Sequence, residues 1–560
     1  MRLLFVILML VVPGLCAAEE KCRDKDRADI LLVLDSVVKA TRLIEPDEAD
    51  WILMEAASYQ ACFRNYEQAR KLASQIQDAE DRSYAFFSIA ISYARHGDYA
   101  QAISLAASTT RKSEVLEKIA VCQAEQGDYA GAQKTIDLIT EDLVHAKDWI
   151  VAADWVKTRA ILEVAILQAK AGNQNASLKT IDRARNLIQK YYYELSVVGK
   201  VAQVYAYAGD QEEGPKWFYL LKKFIEPEND ALGIHYMVKD VALGYATARK
   251  YDIAFQIVKE FTDPSDQEAA IHDLGVLLLS KGDEERATAL LSIPEEKWWR
   301  DDLLFELVKW SVEQRQPAKA LKYAGQLDTD STQLRIQSLL KIALLQQTLK
   351  QPLEAEKTAQ QAHQLIESVK GEKEFAELLT EWAQYQLLCK NIKGASRTLQ
   401  EALSAAKTIE YTDFSAGFHH PLHDIFRGQV QVGDIAGARE TLSFALEILP
   451  QLQKAHAGFP VYVSNLKPNI VACYVEIGDL DTALKITNAE KYNDSCFTKI
   501  GETLGRKGDL AAAVKWCQQS LPDTMKAQVL IYIARGAIKS KGCNCDDSFQ
   551  RIWENATWAI

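Results

Sequence analysis

The chain has 560 residues, and its 77 Asp and Glu outnumber its 65 Lys and Arg to give a formal net charge of −12 at pH 7. That balance, with no basic cluster anywhere, argues against nucleic acid and against tight binding to an anionic bilayer. Gly is 26 and Pro 13, low for an all-β or a disordered chain, while Ala, Leu, Gln, Glu and Lys dominate.

At the N-terminus, Met1-Arg2 precedes an apolar run from Leu3 to Val12, then Pro13-Gly14 and Cys16-Ala17-Ala18 before Glu19-Glu20. A basic start, a short apolar core and a small-x-small site read as a secretory signal peptide, residues 1–18, cleaved after Ala18. The apolar run is short for a membrane anchor, and Leu15 stands where a lipoprotein signal needs a small residue. No other stretch reaches the roughly eighteen uninterrupted apolar residues of a transmembrane helix. The expectation is an exported protein, periplasmic or secreted, with no stable membrane insertion after signal cleavage. Residues 19–46 form a lead-in with a helix over 27–43.

From residue 47 to 520 one local pattern returns. An apolar helix carries a small residue near its middle, a Gly-Asp-type turn follows, and a second helix opens on another small residue. Two adjacent copies run Ala90, Tyr93, Gly97-Asp98-Tyr99, Ala102 and Ala120, Gly127-Asp128-Tyr129, Ala132. The second-helix anchor recurs at Ala69, Ala102, Ala132, Ser177, Gly214, Ala254, Ala287, Ala320, Ala355, Ala395, Ala438, Ala483 and Ala513. Twelve residues before these anchors stand Ala57, Ala90, Ala120, Ala165, Ala202, Ala242, Gly275, Val308, Ala343, Ala383, Phe426, Val471 and Gly501, ten of the thirteen being Ala or Gly. Two small positions at a fixed offset let paired helices approach closely, because side-chain size sets the distance between axes. Turn glycines at 97, 127, 172, 209, 282, 433, 478 and 508 tolerate the left-handed conformation that ends a helix, and the Asp or Asn after each of them can cap the next one. Pro sits at unit boundaries (Pro46, Pro227, Pro264, Pro294, Pro450, Pro522) or helix starts (Pro317, Pro352), where a missing amide hydrogen is tolerated. The weakest junctions are inserts at 140–158 and 408–425.

Three of the nine His fall in His419-His420-Pro421-Leu422-His423-Asp424. His419 and His423, at i and i+4, are weak metal candidates; the competing reading is a His-rich exposed helix start opened by Pro421. Residues 521–560 hold a capping helix over about 523–541 and a tail with Cys543-Asn544-Cys545. These two thiols are disulfide candidates, bridging each other or pairing with Cys496 or Cys517; inert thiols and a metal site are the alternatives. No phosphate loop, Gly-x-Ser-x-Gly or His-Glu-x-x-His occurs, so no catalytic residue and no cofactor is assigned. Sequons at Asn175, Asn493 and Asn555 read as chance occurrences.

The small residue and Tyr of the first helix (Ala90/Tyr93, Ala202/Tyr205, Ala242/Tyr245), the Gly-Asp-Tyr turns and the second-helix Ala resemble tetratricopeptide (TPR) repeats over roughly residues 47–520. The Trp that opens a consensus unit and the Pro that closes it are mostly missing, and several units carry insertions. The resemblance implies an all-α, right-handed α-solenoid of about thirteen helix–turn–helix units. It also implies a non-enzymatic scaffold that binds a protein or peptide in its concave groove; a metal-dependent protein or enzyme at the His or Cys cluster is the alternative. Family groove positions fall on His420, His423 and Arg427, then on Asn465, Glu476, Ser495, Thr498, Glu502 and Arg506. His420, His423, Arg427, Glu502 and Arg506 are the ligand-groove candidates. Earlier units place Trp51, Tyr84, Phe87, Ile91, Tyr207, Tyr236 and Phe305 there, residues that inter-unit packing also uses. No motif names the partner or the number of copies in an assembly.

Overall fold

The computed structural model describes residues 23–140, 144–146, 149–151, 153–191, 194–223, 233–260, 264–293, 297–372, 374–409, 421–455, 460–488 and 494–543. The signal segment, His419, His420 and Cys545 lie outside the described residues. The chain forms two compact units, one of residues 1–254 with 500–560 and one of residues 255–499. Both are built of helical hairpins. The only strands among the described residues, Val144–Ala146 and Trp149–Val151, form one antiparallel pair inside the first insert, with Val144 opposite Val151.

A single turn shows why the hairpins form. Helix Ala79–Arg95 ends at His96, and Gly97 takes φ +82°. Asp98 N–H then donates to Tyr93 O at 2.9 Å and Gly97 N–H to Ala94 O at 3.0 Å, which satisfies carbonyls left open at the helix end. Asp98 Oδ1 accepts from Gln101 N at 3.2 Å and caps helix Tyr99–Ala106. All eight turn glycines have positive φ, between 71° and 87°. At five further turns the left-handed residue is Arg64, Arg249, Arg315, Lys350 or Lys390, with φ of 59–62°. Each of these thirteen residues lies five positions before one of the thirteen anchors. The pattern holds after both inserts, at Gly172 and Gly433. One expectation is corrected: Pro450 is not at a boundary but inside helix Ile435–Ala455.

Every anchor and its partner twelve residues earlier is buried. Two of the departures from Ala, both to Gly, have steric causes. A Cβ at Gly214 would lie 2.0 Å from the Tyr245 hydroxyl, and one at Gly275 would lie 2.3 Å from Leu303 Cδ1. Above the anchors a second pairing recurs, in which a Thr hydroxyl of the second helix donates to a Gln carbonyl of the first, again twelve residues apart. It joins Thr135 to Gln123 (2.6 Å), Thr180 to Gln168 (2.7 Å), Thr398 to Gln386 (2.9 Å) and Thr441 to Gln429 (2.7 Å). Buried polar groups must be paired to be tolerated, so this bond adds direction to a contact that Ala alone leaves non-directional.

Helix Asp523–Ser540, expected as a cap, does not merely end a stack. It packs on Leu510–Ser520 and also on Asp24–Ala40 and Pro46–Cys62, so the first and last described helices meet within the first unit. Arg535 is the centre of that contact. Its guanidinium pairs with Glu55, donates from Nε to the Tyr59 hydroxyl at 3.3 Å and lies 5.0 Å from the Tyr532 ring centroid. Burial holds the Glu55 carboxyl above its ordinary range even with Arg535 upon it, while Arg535 stays charged. Lys541 Nζ lies 3.3 Å from Asp26 Oδ1, and Trp51 packs on Tyr532 with centroids 6.1 Å apart. The helices Asp494–Lys507 and Asp523–Ser540 cross in backbone contact: a Cβ at Gly536 would lie 2.0 Å from Glu502 O, and one at Gly505 would lie 2.0 Å from Ile533 O.

Cys62 and Cys543, at the ends of two helices of this contact, are each disulfide-bonded. Cys496 and Cys517 are buried thiols outside any disulfide, so neither is the partner of Cys543. Burial pushes the Cys517 thiol up to about 12.

Candidate functional site

The groove candidates divide between the units. His423 and Arg427 sit on helix Leu422–Gln431 of the second, His423 half-buried with Nδ1 3.5 Å from Asp424 Oδ1, and Arg427 exposed. Glu502 and Arg506 sit on the part of helix Asp494–Lys507 that belongs to the first. Glu502 Oε1 is 3.9 Å from both Arg535 and Lys539. It therefore lies at a helix–helix contact and not on an uncovered wall, because the last helix of the chain packs where the repeat pattern anticipates solvent. Arg506 donates to Thr503 Oγ1 at 3.1 Å along its own helix. Among the described residues no group of three or more His, Cys, Asp or Glu is arranged to hold a metal ion, and no helix is long and apolar enough to cross a membrane.

The described aromatic candidates Tyr84, Phe87 and Tyr207 serve packing; the Tyr236 side chain lies outside the described residues. Phe87 and Ile91 are buried. Tyr84 receives an Arg111 N–H at 2.5 Å beneath the guanidinium, and Tyr207 is buried enough for its phenol to be pushed up to about 12.

A different place in the second unit remains uncovered. A cleft of about 690 Å³ opens between the hairpin of helices Thr332–Thr348 and Pro352–Ser368 and the next hairpin, Phe375–Leu388 with Ile392–Ala406. One wall comes from Glu356, Gln360 and His363, one helical turn or so apart on one face. The opposite wall comes from Trp382, Tyr385 and Cys389. Gln347, Gln386 and Asn391 close it with amides.

The rings are ordered by one another. Trp382 and Tyr385 stack with centroids 5.2 Å apart and planes 22° apart, and His363 leans on Trp382 at 4.9 Å and 59°. Gln347 Nε2 approaches the Tyr385 hydroxyl at 3.4 Å. Burial is the first cause that holds this phenol well above its ordinary range, and contact with the Cys389 thiol adds to it. Gln386 is held by its bond from Thr398, so this wall rests on the repeated Gln–Thr pairing. Nearby in sequence, Leu353, Leu388 and Ile392 are 78%, 63% and 55% exposed, unusual values for side chains of that kind. Sequence reasoning passed over this cleft; the signal present was Trp382 and Tyr385 three apart on one helix beside apolar residues at two successive turns.

No family model matches the chain, and no curated protein is significantly similar to it in sequence. Among solved structures it is similar to Ton1535 from Thermococcus onnurineus, at 15% identity over 59% of this chain and 98% of that one, with a TM-score of 0.23. It is similar to yeast Tom70 at 12% identity over 91% and 100%, with a TM-score of 0.25. The pentatricopeptide repeat protein PPR10 from maize matches at 11% identity over 86% and 76%, with a TM-score of 0.30. The chain is a TPR-like helical-repeat protein. Its own turns and anchors carry that assignment; at these identities and scores the neighbours say nothing about ligands.

Proposed function

We propose that the protein is a non-enzymatic scaffold acting outside the cytoplasm, which holds a partner protein through an extended segment laid over the hairpins of residues 332–406. The observation that carries this reading is the cleft at Trp382 with exposed Leu353, Leu388 and Ile392 near it. Apolar side chains exposed on successive turns beside a shaped cleft are what a docking surface presents before its partner arrives. The acidic balance of the chain favours a protein over a nucleic acid. Export is supported by the segment Met1–Ala18 and by the disulfide-bonded Cys62 and Cys543, since disulfides persist in oxidising compartments.

The test places a photo-crosslinking residue at Leu388 or Ile392 of the full chain in its own host, with Leu32, exposed in the first unit, as the control site. A discrete protein adduct at the first two positions and none at Leu32 is expected, on a chain that begins at Glu19. Equal labelling at all three positions, or a cytoplasmic chain that retains Met1, refutes the reading.

A further inference from the structure

We infer that the cleft at Trp382 takes the guanidinium group of an arginine side chain carried on the bound peptide. This rests on the peptide-binding reading above and names the residue recognised.

This chain seats several of its own arginines in one recurrent way. Arg535 lies over the Tyr532 ring and pairs with Glu55. Arg111 lies 5.0 Å from the Tyr84 ring centroid and pairs with Glu114 at 2.7 Å. Arg159 lies 4.5 Å from the Trp155 ring and donates to Glu117 at 2.6 Å. Three times an aromatic face and a carboxylate together seat a guanidinium; the same pair seats an ammonium at Lys309 and Lys319, so the motif calls for a cation and the planar fork selects between the two. The cleft presents the same two groups, the Trp382–Tyr385 stack and Glu356, and neither Lys nor Arg lines it.

The other guests fit less well. An anion would meet Glu356 and the negative faces of the rings with no Lys or Arg to offset them. A purely apolar group would cover Glu356 and the Gln360 amide without offering either a partner, which is costly. An ammonium satisfies the charge, but as a point donor it neither stacks nor forks. A planar guanidinium does both, lying on a ring while it directs paired N–H groups at a carboxylate. Leu353, Leu388 and Ile392 indicate a peptide over a small free cation, since residues flanking the arginine would cover them.

The experiment uses the full mature chain and calorimetric titration with acetyl-Ala-Leu-Arg-Leu-Ala-amide. Its counterpart carries citrulline, which keeps the planar shape and loses the charge. The Arg peptide is expected to bind saturably, and the citrulline peptide at least about tenfold more weakly. Glu356→Gln, at an exposed position that folding does not depend on, should weaken the Arg peptide several-fold and leave the citrulline peptide unchanged. Trp382→Phe should weaken both.

Equal binding of the two peptides, or indifference to Glu356→Gln, overturns the arginine assignment while leaving peptide binding in place. Binding of neither overturns it as well, and the crosslinks at Leu388 and Ile392 then judge the partner reading separately. Methylguanidinium alone binding as tightly as the Arg peptide overturns the assignment to a peptide.

Discussion

Glu55 and Glu356 are both carboxylates on hairpin helices beside aromatic rings, yet one is sealed and the other open. Glu55 is buried beneath the last helix, with Arg535 supplied by the chain itself 480 residues away. Glu356 is exposed on a cleft whose rings stack on each other and whose lining holds neither Lys nor Arg. The same chemistry thus serves as a structural joint where a helix covers it and as a receptor where none does. The repeat supplies the groups; coverage by a further helix decides their use.

The sharpest way to break this comparison is at the joint. Arg535→Ala leaves Glu55 buried without its cation, and Glu55 Oε2 already has no hydrogen-bond partner. The expected cost is about 3–5 kcal/mol in urea unfolding. Replacing both residues, as Glu55→Leu with Arg535→Met, should recover most of that, because an apolar pair avoids the desolvation penalty. Glu356→Gln should change stability by no more than about 0.5 kcal/mol. Similar losses at Glu55 and Glu356 would erase the distinction between joint and receptor.

Next in size is the crossing that brings the last helix into place. Gly536→Ala adds a methyl 2.0 Å from the Glu502 carbonyl, where backbone and not a flexible side chain must give way. A loss of about 1–3 kcal/mol is expected despite the better helix propensity of Ala. Because repeats contact chiefly their neighbours, faster amide exchange should appear first in Asp24–Ala40 and Asp523–Ser540. A smaller effect belongs to the Gln–Thr pairing. Thr441→Val keeps the shape but strands the buried Gln429 carbonyl, for about 1–2 kcal/mol. A neutral result would mean that the small anchors alone set the hairpin contact.

The anchors and glycine turns were legible because they depend on residues five and twelve apart, with no help from distant chain. The left-handed turns at Arg64, Arg249, Arg315, Lys350 and Lys390 were less so: they carry no glycine, and the conformation is imposed by the helices on either side. The Gln–Thr pairs were readable in principle, each Thr standing three residues after a small anchor, but only the small residues themselves were followed. The joint at Arg535 was hidden by sequence distance. Glu502 was read as a groove residue since nothing local announces that the last helix returns to the first. The cleft escaped for a related reason: its lining comes from three helices and a turn, and polarity on first helices pointed instead to His420 and Arg427.

The smallest expected effect concerns a charged contact in the second unit that is neither sealed nor open. On helices Pro264–Ser280 and Lys297–Glu313, His272 Nε2 lies 3.2 Å from Glu306 Oε1, and its Nδ1 lies 3.2 Å from Asp273 Oδ1. The bond to Glu306 is the chief cause that raises His272 from 6.5 to about 9, against burial and with help from Asp273. Glu268 is raised from 4.5 to about 7, first by burial and then by its hydrogen bond to Asp302 and that residue's charge, with His272 opposing. Both folded values lie above the unfolded ones, so the sign is the same for each group. The stability contributed by Glu268 is fully present below about pH 4.5 and lost as pH rises through about 7; that of His272 is fully present below about 6.5 and lost through about 9. Solvent reaches both, which screens each contribution to about 1 kcal/mol or less. Unfolding of the parent against Glu268→Gln and His272→Gln from pH 5 to 9 separates the two windows. The parent's advantage over Glu268→Gln should fade by about pH 7, and its advantage over His272→Gln only at about 9. An advantage that grows with pH would show that Glu268 is ionised in the fold, and the contact would then belong with the open receptor and not with the sealed joint.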